Sequence, residues 1–453
     1  MGEYFHSVRL DKDKCKGCTN CIKRCPTEAI RVRDGKAHII EERCIDCGEC
    51  IRVCPEHAKF AITDTFKMLC DFKYRLAIPA PSLFGQFAGK LSDIEIIATL
   101  KMLGFDDVVE VALGADFVSM AYRKYFEQPD VLRPAISSAC PALVRLIQVR
   151  FPTLLPHIIP IESPMEVAAY IAKQELLKKK NINPKDVGVF FISPCPAKVT
   201  AVRQPVANAT NVDGIISFSE IYGLIIRNYS KLRHFPELLK TSHPRASSGG
   251  LRWARPGGES IGFHDKISHV QVQGIDHIIK VLEQVEMGKL RKVDFLELQA
   301  CPGGCLGGPL TVENPFVARV YINQMANNRT NTPEIDEAWY QELNEAGVLH
   351  FSNDIKARQI MKLDDDIHKA LKKVEDVERI TDSLPGLDCG ACGSPTCRAL
   401  AEDIVQGLAT RTYCTIELRN DVRKLAERML DFAENLPPTM EENSNEEDNN
   451  ETK

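Results

Sequence analysis

Sixteen of the seventeen cysteines in this 453-residue chain fall into four sets of four whose spacing or setting suits iron-sulfur clusters. Cys15, Cys18, Cys21 and Cys25 form CxxCxxCxxxCP, and Cys44, Cys47, Cys50 and Cys54 repeat it, each run closed by a proline, Pro26 and Pro55. In a two-cluster ferredoxin run the first three thiolates wrap one cubane and the fourth reaches across to the other. Cys15, Cys18, Cys21 and Cys54 are therefore expected to share one cluster, and Cys44, Cys47, Cys50 and Cys25 the second. Zinc is the bland alternative, and two intact runs with trailing prolines argue against it. Near the other end, Cys389, Cys392, Cys397 and the more distant Cys414 suit a further cluster. Cys140, Cys195, Cys301 and Cys305 lie far apart in the chain, and the leftover Cys70 needs no role.

The elements around these residues say how the scattered set could meet. Short β-rich runs at 75–79, 107–111, 134–138, 187–192 and 293–298 alternate with amphipathic helical stretches, the pattern of an α/β domain. Cys140, Cys195 and the Cys301–Cys305 pair each follow one of these runs, and open α/β sheets assemble their sites at the carboxyl ends of strands. A lone cysteine at any one of these places would ordinarily be a small buried hydrophobe. Gly303, Gly304, Gly307 and Gly308 add backbone that can approach a cluster closely.

Residues 6–60 read as two copies of strand, cysteine run and turn, with strand-like segments at 30–32 and 37–40 around Asp34-Gly35, a core too small to hold without its clusters. Ser163-Pro164-Met165-Glu166 reads as a helix start with a serine cap and a capping box, running to about Lys180. Ile360, Leu363, Ile367, Leu371 and Val374 suggest a connecting helix over 351–380. Leu418, Val422, Leu425, Met429 and Phe432 alternate by four and three, the seam of a short coiled coil or of a helix packed on its own domain, and packing within the chain is the expectation. From Pro437 the composition predicts a disordered acidic tail.

At roughly 150 residues per domain the length suggests about three units. The boundaries expected are a ferredoxin-like module at 1–60, an α/β domain at 75–350, the connecting helix at 351–380, a small cluster domain at 381–416, a helix at 417–436 and the tail at 437–453. A net charge of -5 with both signs interspersed gives no basic stripe for nucleic acid, and no apolar run reaches a membrane span. The N-terminus carries no signal-peptide core, so a reducing, cytoplasmic and anaerobic setting is expected.

Three segments of the central region resemble the signatures of the FeFe hydrogenases. The family's TSCCP appears as Ser137-Ser138-Ala139-Cys140-Pro141, its MPCxxKxxE as Ser193-Pro194-Cys195-Pro196-Ala197-Lys198, and its ACxxGCxxGG as Ala300-Cys301-Pro302-Gly303-Gly304-Cys305-Leu306-Gly307-Gly308. Lesser matches are Ala80-Pro81-Ser82 and Ser247-Ser248-Gly249-Gly250. The resemblance implies a two-lobed α/β H-cluster domain, preceded by the ferredoxin-like α+β module and followed by a small helical 4Fe-4S domain. It implies that Cys140, Cys195, Cys301 and Cys305 hold a cubane, with Cys305 bridging to a two-iron subcluster bearing CO, cyanide and a dithiolate. Ser82 and Lys198 would line that group, Lys198 donating a charge-assisted hydrogen bond to a cyanide, where a lysine without such a partner would be a solvated surface residue. Leu384 to Gly393 with Cys397 and Cys414 is similar to the four-cysteine domain of Rnf-type subunits and corrinoid proteins, which makes three accessory 4Fe-4S clusters in all.

The departures from the family pattern carry information too. Ala139 stands where fast catalysts keep a proton-carrying thiol, Ser193 and Gln299 replace methionines, Ala201 replaces a glutamate, and Met120-Ala121-Tyr122-Arg123-Lys124 lacks the acidic relay. An alanine cannot carry a proton. The pattern is similar to the sensory branch of the family. The expected function is slow, reversible H2 oxidation and proton reduction by a hydrogen or redox sensor, with ferredoxin, another redox protein or a separate signalling protein as partner. The alternatives are a ferredoxin-linked catalytic hydrogenase with another proton route, and an iron-sulfur assembly or electron-transfer protein without the two-iron centre.

Overall fold

A computed structural model describes residues 5–263, 267–329, 335–358, 360 and 363–435, so the expected acidic tail lies outside the described residues. The strands are β1 (Val8–Leu10), β2 (Ile30–Arg33), β3 (Lys36–Ile39), β4 (Lys59–Ala61), β5 (Tyr74–Pro79), β6 (Asp107–Val108), β7 (Ala135–Ile136), β8 (Val187–Ser193), β9 (Gly214–Ser217), β10 (His269–Gln273) and β11 (Phe295–Gln299). The chain divides into two compact units, residues 1–29 with 39–361, and residues 30–38 with 362–453.

The first unit contains two parallel sheets, which give the α/β domain its two lobes. One has the order β6-β5-β8-β9 and the other β10-β11-β7. β8 is buried along its whole length, as Val-Gly-Val-Phe-Phe-Ile-Ser must be when helices cover both faces of a parallel sheet. β9 and β10 escape the sequence reading. β9 holds only Gly-Ile-Ile-Ser before its helix begins, while β10 is a half-exposed edge whose His-Val-Gln-Val-Gln alternation was the available signal. At the amino end, β1 pairs antiparallel with β4 to frame the two cysteine runs.

Two local expectations fail for identifiable reasons. The helix Pro164–Lys180 forms, but Ser163 makes no side-chain cap. Glu166 instead accepts hydrogen bonds from Thr210 Oγ1 and Asn211 N, both at 2.7 Å, so no capping box closes. A full box exists at Ser92 and Glu95, ahead of the helix Asp93–Met102.

In the second unit the hairpin β2–β3 packs with the helices Ile367–Ser383, Cys397–Val405 and Thr415–Glu434. Val32 N donates to Gly393 O at 2.7 Å, and the guanidinium groups of Arg31 and Arg33 both reach Asp403 Oδ2 at 2.7 Å. Val377, Leu384, Leu400 and Ala401 form its core. The connecting helix starts only at Ile367, and Ile367 and Leu371, expected on its apolar face, are exposed. The expectation that the last helix packs on its own chain is also overturned, since none of residues 415–434 is buried and only Ile416 leans on the core. Among the described residues no helix is long and apolar enough to cross a membrane.

Candidate functional site

The carboxyl ends of strands in both lobes of the first unit converge on one cavity of about 110 Å³. β5 delivers Ala80-Pro81-Ser82, β8 delivers Pro194-Cys195, β7 leads to Ala139-Cys140, and β11 leads to Ala300-Cys301 and on to Cys305. All four cysteines of the scattered set line this space, as do Ser82 and Lys198. Cys140 and Cys195 are the N-cap residues of the helices Pro141–Arg150 and Pro196–Arg203, each with proline in the first turn. Helix N-termini carry partial positive charge, so both thiols sit where an anionic sulfur is favoured. Ser193, in the place of the family's methionine, ties down this loop by accepting from Cys195 N at 3.1 Å.

Burial dominates the protonic state of three of these thiols. It pushes Cys195 up to about 11 and Cys301 and Cys305 well above the ordinary thiol range, with the neighbouring cysteines adding to the rise. Cys195, Cys301 and Cys305 are thus held as neutral thiols on their own, and a bound iron cluster would supply the positive charge that converts them to thiolates. The surroundings also lack polar partners. Ser82 Oγ and Gln299 Oε1 are buried without a hydrogen-bond partner, and Lys198 Nζ makes no hydrogen bond or ion pair to a described residue. Gly304, at φ +68°, keeps the floor open, because a Cβ there would meet Gln299 Oε1 at 2.2 Å. The donor set and the unpaired polar atoms fit a metal cluster carrying polar ligands.

Glu259 was missed by the sequence reading, for it belongs to none of the matched segments. It lines the cavity, is 3% exposed, and accepts a hydrogen bond from Ser137 Oγ at 2.5 Å. Burial, then the charge of Glu297, pushes its carboxyl up to about 8. Glu297 is held by Gly257 N at 2.6 Å and by Ser260 N and Oγ at 3.0 and 2.6 Å. A second cavity of about 70 Å³ shares Ala139 and Lys198 with the first and contains Glu162, Glu166 and Ala201. Burial pushes Glu162 up to about 7. Carboxylates are thus present around the site, supplied by other segments than the family's signature would indicate. Ser247, from a lesser matched segment, donates to Asp116 and braces the helix Val111–Phe126 against the helix Ser248–Arg252.

The cysteines of the two ferredoxin-type runs lie near one another. The thiol neighbours of Cys21 are Cys18, Cys15 and Cys54, while Cys44, Cys47 and Cys50 each have Cys25 in electrostatic reach. Ala29 N donates to Cys25 Sγ at 3.1 Å and Ala58 N to Cys54 Sγ at 3.3 Å, equivalent bonds in the two repeats. Lys59 Nζ is buried with no hydrogen-bond partner and acts on both Cys21 and Cys50, a placement that suits anionic clusters on either side. The second run lies beside the four-cysteine cavity, with Cys47, Cys140 and Cys195 packed against one apolar cluster. Gly48, at φ +76°, allows this approach, since its Cβ would meet Pro309 Cγ at 2.4 Å. In the second unit, Cys389, Cys392, Cys397 and Cys414 line one small cavity, with Cys397 N held by Asp388 Oδ1 at 2.6 Å.

Asp46 fastens the second run to the α/β domain. Its carboxylate accepts from Ser7 N and Val8 N at 3.0 Å and from Thr200 Oγ1 at 2.7 Å, two residues from Lys198. Asp46→Ala is expected to cost about 3–5 kcal/mol in anaerobic denaturant unfolding, the range for removing one partner from a buried charged network. A loss under about 1 kcal/mol would mean that water replaces these bonds.

The family described as iron only hydrogenase large subunit, C-terminal domain, matches residues 73–309, more than half of the chain. The chain belongs to this family. The 4Fe-4S dicluster domain matches residues 7–55 and the family described as putative Fe-S cluster matches residues 384–416. A periplasmic Fe hydrogenase large subunit from Nitratidesulfovibrio vulgaris is 27% identical over 367 residues, which cover 67% of this chain and 86% of that protein. A probable cytosolic Fe-S cluster assembly factor from Caenorhabditis elegans is 26% identical over 260 residues, 47% of this chain and 57% of that protein. An NADP-reducing hydrogenase subunit from Solidesulfovibrio fructosivorans is 24% identical, and the chain spans 56% of its length. Among solved structures, a variant of the FeFe hydrogenase from Chlamydomonas reinhardtii aligns with TM-score 0.45 and 17% identity over 64% of this chain and 95% of that one. The protein is therefore a hydrogenase-like iron-sulfur protein whose α/β domain follows ferredoxin-type runs and precedes a further cysteine module.

Proposed function

We propose that this hydrogenase-family chain interconverts H2 with protons and electrons slowly, and that it serves as a hydrogen or redox sensor for a partner protein. The observation carrying this reading is the single cavity in which four thiols meet an unpaired lysine, two orphaned buried polar groups and a protonatable glutamate. Cys140, Cys195, Cys301 and Cys305 would hold a 4Fe-4S cubane, with Cys305 bridging to a two-iron centre bearing CO, cyanide and a dithiolate. When bound, that group supplies the metal chemistry of H2 cleavage.

The residues of the chain handle charge. Lys198 offers its ammonium to an anionic ligand, and Ser82 Oγ can donate beside it. Met165, Phe191 and Trp253 wall the cavity with apolar surface and limit water. Glu259 is protonated at neutral pH and close enough to its titration point to give or take a proton at its carboxylate. Glu297, next in the same buried group and influenced by His269 at the edge strand, is the onward acceptor. Electrons would leave through the second ferredoxin set, which lies beside the cavity, and then the first.

Slowness is attributed to Ala139, whose methyl faces both cavities where fast relatives place a thiol. Ala139→Cys is expected to raise H2 evolution, by less than about a hundredfold because a single group is restored. A wild-type rate equal to that of ordinary family catalysts in the same assay would overturn the slow-turnover reading. The C-terminal module is the proposed output end. Converting Cys389 and Cys392 to serine should remove about four iron atoms and change communication with the partner, leaving the signal of the main cavity intact. Collapse of that signal would make the module structural instead.

A second reading is an assembly or electron-transfer protein without the two-iron centre. It is favoured by the assembly-factor relative covering 47% of this chain at 26% identity. Among the described residues, the unpaired Lys198 and the orphaned Ser82 Oγ weigh against it, because both are donors that a cubane alone leaves without an anionic partner.

A further inference from the structure

The helix Thr415–Glu434 of the second unit carries an apolar stripe that no described residue covers. Leu418, Val422, Leu425, Met429 and Phe432 are between 42% and 72% exposed, and they recur at alternating steps of four and three. That spacing is a heptad seam with leucine or phenylalanine at the d positions and valine or methionine at a. Five such side chains in water along twenty residues are a standing cost, which a partner helix of the same period removes.

We infer that this helix pairs antiparallel with its counterpart in a second copy of the chain. Antiparallel pairing with facing layers places Leu418 on the partner's Met429, Val422 on the partner's Leu425, and the bulky Phe432 on the small partner's Thr415. The residues flanking the seam on one side are Asp421 and Arg428, and in this arrangement each meets the other across the interface, giving two opposite-charge pairs. In a parallel pair the same two residues face alanines, Ala426 and Ala433, so their charges contribute nothing. Sterics point the same way. Cys414, the N-cap of this helix, is also a wall of the cysteine module, so parallel pairing would force two modules together at one end. Antiparallel pairing sets the two Cys414 positions about 28 Å apart along the axis, at 1.5 Å per residue.

The test is the mass in solution of the full chain with its clusters reconstituted anaerobically, by sedimentation or light scattering across micromolar concentrations. The wild type should have twice the mass of one chain. Leu425→Glu should raise the dimer dissociation constant at least about a hundredfold, because two leucines per dimer lose burial. Its iron content and visible absorption should not change, since the residue touches no cluster. Asp421→Arg should weaken the dimer about fivefold through like charges, and adding Arg428→Asp should restore it. A monomeric wild type, or a dimer indifferent to Leu425→Glu, would overturn the inference. Loss of pairing in neither charge variant would refute the antiparallel arrangement.

Discussion

Glu259→Gln should lower H2 turnover about a hundredfold or more, the range for removing a positioned acid-base group. The amide keeps the size of the side chain and can still accept from Ser137 Oγ, but it cannot exchange a proton. The same substitution should leave the fold intact and change its pH response in a stated direction. Burial raises the Glu259 carboxyl from its ordinary 4.5 to about 8. Between those values the folded chain keeps a proton that the unfolded chain has released, so stability falls as pH rises through this window. Glutamine removes that slope. Lower turnover with a flatter stability profile would identify a proton-handling role, whereas unchanged turnover would show that protons use another path, the second cavity with Glu162 being the next to examine.

Lys198→Met should abolish retention of the two-iron centre while the cubanes remain. Among the described residues Lys198 is the cation that lines the cavity without an ion-pair partner, so its loss removes the positive charge facing an anionic ligand set. Methionine preserves length and apolar packing, which limits the damage to the lost charge and donor. Matured wild-type protein should hold about 18 iron atoms per chain and the variant about 16, the content of four cubanes alone. Equal iron and equal activity in the two proteins would remove Lys198 from the site.

The sequence showed the cluster chemistry more clearly than the proton chemistry, and the reason is physical. Cluster ligands repeat at spacings that the turn around a cubane imposes, so the crossing of Cys25 and Cys54 between runs is expected from the spacing over Cys15–Cys54 alone. The meeting of Cys140, Cys195 and Cys301 followed from strand ends, since β7, β8 and β11 are buried runs with a clear apolar signature. Glu259 had no such signature. It reaches the cavity from the loop after the helix Ser248–Arg252, and only the fold brings that loop to Ser137. The loss of acidic residues at Ala121 and Ala201 therefore suggested a site poor in carboxylates, while Glu162, Glu166, Glu259 and Glu297 arrive from elsewhere. The helix Thr415–Glu434 was misjudged for a related reason, because a four-three stripe demands a partner without saying whose.

Infrared spectroscopy of the anaerobically matured protein tests the central claim most directly, because CO and cyanide bound to iron absorb where protein does not. Bands of both ligand types, shifting when H2 is added, are expected from a two-iron centre held beside Lys198 and Cys305. A protein with all four cubanes filled, exposed to working maturation enzymes and still without such bands, would contradict the hydrogenase reading and leave an assembly or electron-transfer protein.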